Sequence, residues 1–164
     1  MKYLTIPALS FILLSFALLA APAFGASCTV STTGISFDSY IPNQASPLDS
    51  VGRISVDCAK APLDSLPMTV NYSLDISQGS GTSFTPRTMS SGTHALNYNL
   101  YRDALRSNVL GDGSGGTSNI AGALQLPSPQ GTATGSHSFY GRIFAGQNLV
   151  PGTYADTLLV TISY

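Results

Sequence analysis

The residues that could do acid–base or nucleophilic chemistry are few in this 164-residue chain. It has eight Asp, no Glu and two His, His94 and His137. A general acid or base must be held close to the reacting group. No G-x-S-x-G sequence is present that would place a nucleophilic Ser on a strand-to-helix turn. Both His lie at the starts of predicted strands beside Ser or Thr, so we interpret them as solvated side chains and predict no enzyme activity.

The segment GDGSGG, residues 111–116, superficially resembles a phosphate-binding or calcium-binding loop. It lacks the Lys-Ser/Thr pair of a P-loop and does not open a predicted helix. Its one Asp supplies too few oxygen ligands for calcium. We therefore expect a mobile hairpin turn here, and we predict no cofactor and no metal for the chain.

Residues 1–25 have the features of a secretory signal peptide. Lys2 gives a positive start, a mostly apolar stretch follows, and cleavage after Gly25 would put Ala23 and Gly25 at the two positions that need small side chains. The alternative is a retained membrane anchor, but the apolar stretch is short for a span and no charged stop sequence follows. The predicted mature chain, 26–164, has about 139 residues, the size of one domain.

Charge and composition restrict the classes of partner. Without Lys2 the chain has a net charge of about −2, which attracts neither nucleic acid nor an anionic membrane surface. Lys and Glu, both strong helix formers, are scarce or missing, whereas Ser, Thr, Gly and Asn are abundant. This is the composition of an exported β protein.

Cys28 and Cys58 are the two cysteines of the chain. In an exported protein such a pair is expected to form a disulfide. It would close a loop of about 30 residues and stabilise the fold by roughly 3–4 kcal/mol. A metal-binding or catalytic role is the alternative, but no His lies near either Cys in the sequence and two sulfur ligands do not complete a zinc site.

Alternation of apolar and polar residues predicts β-strands along the mature chain. A short edge strand is expected around residues 87–89, and Gly141 is expected to mark a β-bulge. The main strand patterns are CTVSTTGISF (one strand, or a pair broken at Gly34), VGRISVDC, MTVNYSLDIS, HALNYNLYRD, ALQLPSP, HSFYGRIFA and YADTLLVTISY. Six to eight short antiparallel strands, with turns about every ten residues, predict a β-sandwich. A barrel remains the alternative, because periodicity alone does not separate the two.

The last strand pattern, residues 154–164, is apolar on one side. Leu158, Val160, Ile162 and Tyr164 share that side. Last strands are often sheet edges, and a bare apolar edge pairs readily with another chain. We therefore interpret this strand as a docking edge.

Aromatic residues offer a different hypothesis, a sugar-binding surface on a stand-alone secreted carbohydrate-binding β-sandwich module. At strand spacing, most of them are predicted to pack in the core or across strands instead. The residues in question are Tyr98, Tyr101, Phe139, Tyr140, Phe144, Tyr154 and Tyr164.

Several local patterns together resemble the spore coat protein U domain family, which includes subunits of archaic chaperone–usher pili of the Csu type. They are CTVSTTGISFDSY, ISVDC, YNLYRDALRSNVLGDGSGGT and PGTYADTLLVTISY. The resemblance covers essentially the whole mature chain. Its most specific parts are NLY-x-D followed by Arg and G-D-G, and a C-terminal G-x-Y-x-D-T followed by alternating apolar residues.

The resemblance implies an all-β fold, an incomplete immunoglobulin-like antiparallel β-sandwich completed by a donor strand. A periplasmic assembly chaperone first fills the groove beside the final strand, and a segment of a neighbouring pilus subunit replaces it at the outer-membrane usher. The implied docking residues are Leu158, Val160, Ile162 and Tyr164. The implied location is a cell-surface or extracellular fibre that supports adhesion and biofilm formation and that could engage a surface or glycan receptor.

One feature departs from a polymerising subunit. If cleavage follows Gly25, only Ala26 and Ser27 precede Cys28, which is too short a segment to donate. We therefore expect an acceptor-only subunit at the tip of a fibre. The alternatives are a self-complete domain that never polymerises, or donation by another segment of the chain.

Overall fold

The computed structural model describes residues 25–61, 64–129 and 131–164. The predicted signal peptide, apart from Gly25, lies outside the described residues. In these ranges the chain forms strands, turns and extended segments. No helix of sufficient length and hydropathy to cross a membrane occurs among them.

Eight strands are formed in the described ranges. They are β1 (Ala26–Thr33), β2 (Leu48–Lys60), β3 (Met68–Ile76), β4 (Arg87–Ser91), β5 (His94–Tyr101), β6 (Ile120–Leu126), β7 (Thr132–Ile143) and β8 (Val160–Ser163). One sheet has the order β1-β2-β7-β5-β4 and the other the order β6-β3-β8. All of these pairs are antiparallel. The predicted all-β antiparallel fold is confirmed.

The core lies between the facing sides of the two sheets. In β2, the inward residues Ile54, Val56 and Cys58 are at most 2% exposed, and β3 contributes Leu74 at 0%. Burying one such side chain stabilises the fold by roughly 1.5–3 kcal/mol. The alternation read from the sequence therefore identified the inner faces of these strands.

Two details differ from the prediction. The prediction of a β-bulge at Gly141 is wrong. β7 pairs without interruption with β2, where Ser50 lies opposite Gly141, and with β5, where Leu100 lies opposite Gly141. The last strand is shorter than its sequence pattern and comprises only Val160–Ser163.

A buried arginine side chain holds two loops against the five-stranded sheet. Arg87 of β4 is 0% exposed, and its guanidinium donates to Asn99 Oδ1 at 2.9 Å, Ser77 O at 3.0 Å and Leu110 O at 2.7 Å. Burial lowers the pKa of Arg87, but a guanidinium remains charged at neutral pH. Since a buried charge needs such partners, Arg87 fixes the loops after β3 and β5 to the end of the five-stranded sheet.

A disulfide joins Cys28 of β1 to Cys58 of β2, and the two residues are directly opposite in the strand register. It attaches the edge strand of the five-stranded sheet to its neighbour. The loop between them spans 30 positions of sequence.

Reduction of this disulfide should lower the free energy of unfolding by about 3–4 kcal/mol, because the unfolded chain gains loop entropy. Urea unfolding followed by circular dichroism, with and without reductant, measures the change. A variant with Ser at both Cys28 and Cys58 is the control and should not respond to reductant. An unchanged urea midpoint for the original chain on reduction would contradict the assignment.

Candidate functional site: an apolar groove between two extended segments

A groove of about 790 Å³ separates two extended segments at the open side of the sandwich. We call residues 34–42 the first wall and residues 149–160 the second wall. The first wall continues from β1, and the second leads into β8. The floor between them is mostly apolar: Ile54, Ile76, Met89, Leu96, Tyr98, Leu100, Phe139 and Ile143.

The first wall has the side-chain pattern of a strand but no strand partner. Ile35 and Phe37 are half-buried, whereas Ser36 and Asp38 are exposed. Among the described residues, positions 34–40 make no backbone–backbone hydrogen bond. Their one backbone contact to a side chain is Ser36 O, which accepts from Ser50 Oγ at 2.6 Å. The first wall therefore presents unpaired peptide groups beside the groove.

Side chains of the first wall pack onto two glycines of the five-stranded sheet. A Cβ at Gly141 would lie 2.7 Å from Phe37 Cζ and 2.8 Å from Ile35 Cδ1. A Cβ at Gly52 would lie 2.9 Å from Ile35 Cγ1. The missing side chains at these positions let the first wall approach the sheet closely.

The second wall crosses from one sheet to the other. Ala155 exchanges backbone hydrogen bonds with Ser90 of β4 at 2.9 and 3.1 Å, and Val160 opens the pairing of β8 with β3. β8 is the edge strand of its sheet. The side of β8 away from β3 therefore has no ladder partner among the named strands.

Gln147 joins the walls at one end of the groove. Its backbone N–H donates to Tyr40 Oη at 2.8 Å, and its carbonyl accepts from Asn43 N at 2.9 Å. Its side-chain Oε1 accepts from Asn97 N at 2.8 Å, and its Nε2 donates to Asn97 O at 2.9 Å and to Phe144 O. The first wall thus ends where the second begins, so the two walls run in opposite directions.

A strand placed in the groove would be parallel to one wall and antiparallel to the other. Both arrangements satisfy peptide groups through ladder hydrogen bonds. Such a strand would join the first wall to the edge of β8 and cover the apolar floor.

The charged groups that line the groove are carboxylates, Asp38 on the first wall and Asp156 on the second. Burial, together with a hydrogen bond to Asp156, raises the pKa of the Tyr98 hydroxyl on the floor. The tyrosine therefore stays protonated in the physiological range. What the described lining offers chemically is mainly apolar area and unpaired backbone.

Neither histidine lies in the groove lining. His94 is exposed at the start of β5, and His137 faces the interior with its Nε2 2.7 Å from Tyr72 Oη. Burial lowers the pKa of His137, which favours its neutral form. In the described ranges no cluster of three or more His, Cys, Asp or Glu could hold a metal ion.

The glycine-rich loop folds on itself. Asp112 Oδ1 accepts from the backbone N and the Oγ of Ser114, at 2.8 and 2.6 Å. Within the described part of the chain, this carboxylate stabilises a turn. The predicted hairpin is wrong, because the loop connects β5 and β6, which belong to different sheets.

The structure brings two of the four predicted docking residues into the groove. Leu158 and Val160 line it, and Ile162 is half-buried against the core without reaching the lining. Tyr164 is 58% exposed and lies beyond β8. Sequence reasoning missed the first wall as a binding element, although the alternation of Ile35 and Phe37 with polar residues was visible in GISFDSY.

The aromatic residues proposed for sugar binding are mostly interior. Tyr98, Tyr101 and Phe139 are at most 9% exposed, and Tyr140, Phe144 and Tyr154 are half-buried. Of that set only Tyr164 is largely exposed. They form no exposed aromatic platform in the described structure.

A family model for the Spore Coat Protein U domain matches residues 14–161. This chain belongs to that family. A relative in the family is Protein U of Myxococcus xanthus, which is 30% identical over 151 residues, with 85% of this chain and 79% of the relative covered.

Among solved structures, the fold is similar to a chain in the crystal structure of the CsuC–CsuE chaperone–tip adhesion subunit pre-assembly complex from archaic chaperone–usher Csu pili of Acinetobacter baumannii. The TM-score is 0.52 at 17% sequence identity. The match covers 85% of this chain and 40% of that one, so this chain spans well under half of the solved chain. At this identity the likeness concerns the fold.

Ala in place of Gly141 should destabilise the protein by about 1–3 kcal/mol, because the added methyl group pushes Ile35 and Phe37 toward the groove. Urea unfolding measures this. Gly34→Ala is the matched control, since a Cβ there meets no atom within 4 Å. It should change stability by less than about 0.5 kcal/mol. Equal effects of the two substitutions would contradict the packing role assigned to Gly141.

Proposed function

We propose that this protein is a structural, non-enzymatic subunit of an extracellular fibre or surface coat, completed by a strand donated by another protein. The observation that carries the proposal is the groove, which has an apolar floor and a wall with unpaired peptide groups. A concave cavity lined mostly by apolar side chains is the usual form of a binding site. An extended chain is the ligand that supplies both apolar side chains and ladder hydrogen bonds.

The donated strand would extend the three-stranded sheet. It would pair with the free edge of β8 on one side and with the first wall on the other. The sheet order would then become β6-β3-β8-donor-first wall, and residues 34–40 would acquire the hydrogen bonds that they lack. A donor segment in which polar and apolar residues alternate would fit the groove. Successive side chains of a strand face opposite sides, so its apolar side chains would face the floor and its polar ones would face outward.

The family and the fold likeness support the identity of the donors. In the proposed assembly, a periplasmic chaperone lends a strand first, and an outer-membrane usher exchanges it for a segment of a neighbouring subunit. The finished fibre would lie at the cell surface and support adhesion and biofilm formation through a surface or glycan receptor. Residues 1–25 would act as the export signal.

We further propose an acceptor-only role at a fibre tip. Ala26 and Ser27 lie within β1, where they face Lys60 and Ala59 of β2. If cleavage follows Gly25, as predicted, the mature chain has no free segment ahead of its first strand. The mass of the exported protein tests this role, since cleavage well before Gly25 would leave a donor segment and refute it.

Val160→Asp should abolish co-purification with the assembly chaperone, because it puts a charge on the groove lining. The matched control is Leu159→Asp, at the next position, whose side chain is 68% exposed. That variant should keep at least about half of the binding. Co-expression of each variant with a tagged chaperone and a pull-down measures it. Equal loss in both variants, or none in Val160→Asp, would contradict the groove as the docking site.

A further inference from the structure

Asp156 lies where the second wall crosses between the sheets. The preceding residue, Ala155, pairs with β4, and backbone hydrogen bonding resumes at Leu159, whose O accepts from Ser77 N at 2.9 Å just before β8 pairs with β3. Within the described residues, the peptide groups of residues 156–158 form no backbone–backbone hydrogen bond. The position of the wall at this point therefore depends on side chains.

The Asp156 carboxylate accepts four hydrogen bonds. Oδ1 accepts from Ser80 N at 2.7 Å, Ser80 Oγ at 2.6 Å and Thr157 N at 2.8 Å. Oδ2 accepts from Tyr98 Oη at 2.6 Å. Because Tyr98 is 2% exposed and lies on the floor, one carboxylate connects the wall, the floor and the loop after β3.

The loop after β3 is shaped around this carboxylate. Gly79 has a φ of +82°, a conformation that favours glycine, and a Cβ there would collide with the carboxylate of Asp156. The adjacent Ser80 supplies two of the four donors. Both residues are thus adapted to holding Asp156.

The local charges keep Asp156 ionised. Burial acts to raise its pKa, but the hydrogen bonds from Ser80 and Tyr98 outweigh burial, and the net pKa is below the usual value. An ionised carboxylate only accepts hydrogen bonds, which matches the four donors around it. The buried guanidinium of Arg87 adds a favourable charge nearby.

We infer that Asp156 is a positioning residue for strand capture, because its carboxylate holds the second wall in place over Tyr98 and against Ser80. This inference rests on the proposed function. Asp156 need not touch the donor, since it acts through the wall that it fixes. Asp112 provides the matched control, because its exposed carboxylate also accepts hydrogen bonds from the N and Oγ of a serine, Ser114, and it lies outside the groove lining.

The test uses a strand of alternating Val and Thr, about nine residues long to match the walls, appended after Tyr164 through a Gly-Ser linker. Amide hydrogen exchange of this appended strand reports its docking, and exchange in β2 and β7 reports the fold. Asp156→Asn should lower protection of the appended strand about tenfold, because an amide cannot accept all four hydrogen bonds. Protection of β2 and β7 should not change.

Asp112→Asn should leave the protection of both sets of amides unchanged. Tyr98→Phe removes a single donor and keeps the ring, so it should lower protection of the strand in the same sense but less. Unchanged strand protection in Asp156→Asn would overturn the inference. Equal losses of protection in the appended strand, in β2 and in β7 would also overturn the inference, because they would mean that Asp156 only stabilises the fold. If the appended strand is unprotected in the unaltered protein, the proposed function fails as well, and that outcome is distinct from the others.

Discussion

The structure depends on an apolar core that two extended segments, rather than paired strands, border on one side. The floor of the groove includes residues of both sheets, among them Ile54, Ile76 and Phe139. Beside it, the first wall has strand-like side chains but lacks a backbone partner among the described residues. Apolar surface and unpaired peptide groups are both costly when no second chain covers them. Covering both at once requires an extended segment, which is why we assign the groove to strand capture.

The rest of the fold keeps the groove open. Glycines at positions 52 and 141 let Ile35 and Phe37 lie on the sheet rather than across the gap. Gln147 ties the walls together at one end, and the Asp156 carboxylate holds the second wall above the floor. Apart from the backbone hydrogen bond between Asn43 and Gln147, each of these contacts involves a side chain, and the peptide groups of residues 34–40 are left free for an incoming strand. The disulfide fixes β1, from which the first wall continues.

The sequence predicted the parts of the fold that depend on local alternation. The inward residues of β2, β3 and β5 were readable because their apolar side chains recur at every second position. The prediction of a bulge at Gly141 was wrong. A glycine within a strand pattern can also mark the place where a residue distant in sequence packs closely against the strand, and here that residue is Phe37. The groove itself could be placed only in part. Leu158 and Val160 line it, but whether an alternating segment such as GISFDSY is paired or left free depends on sheet topology, which alternation does not encode.

The most direct test of strand capture is thermal unfolding of the oxidised chain from Ala26, with and without the appended Val-Thr strand. The account predicts that the strand raises the unfolding midpoint by about 20 °C or more, because several apolar side chains and a ladder of hydrogen bonds are added. The chain without the strand should aggregate on heating. A soluble monomer that unfolds cooperatively at the same temperature in both forms would mean that the sandwich is already complete, and would contradict the account.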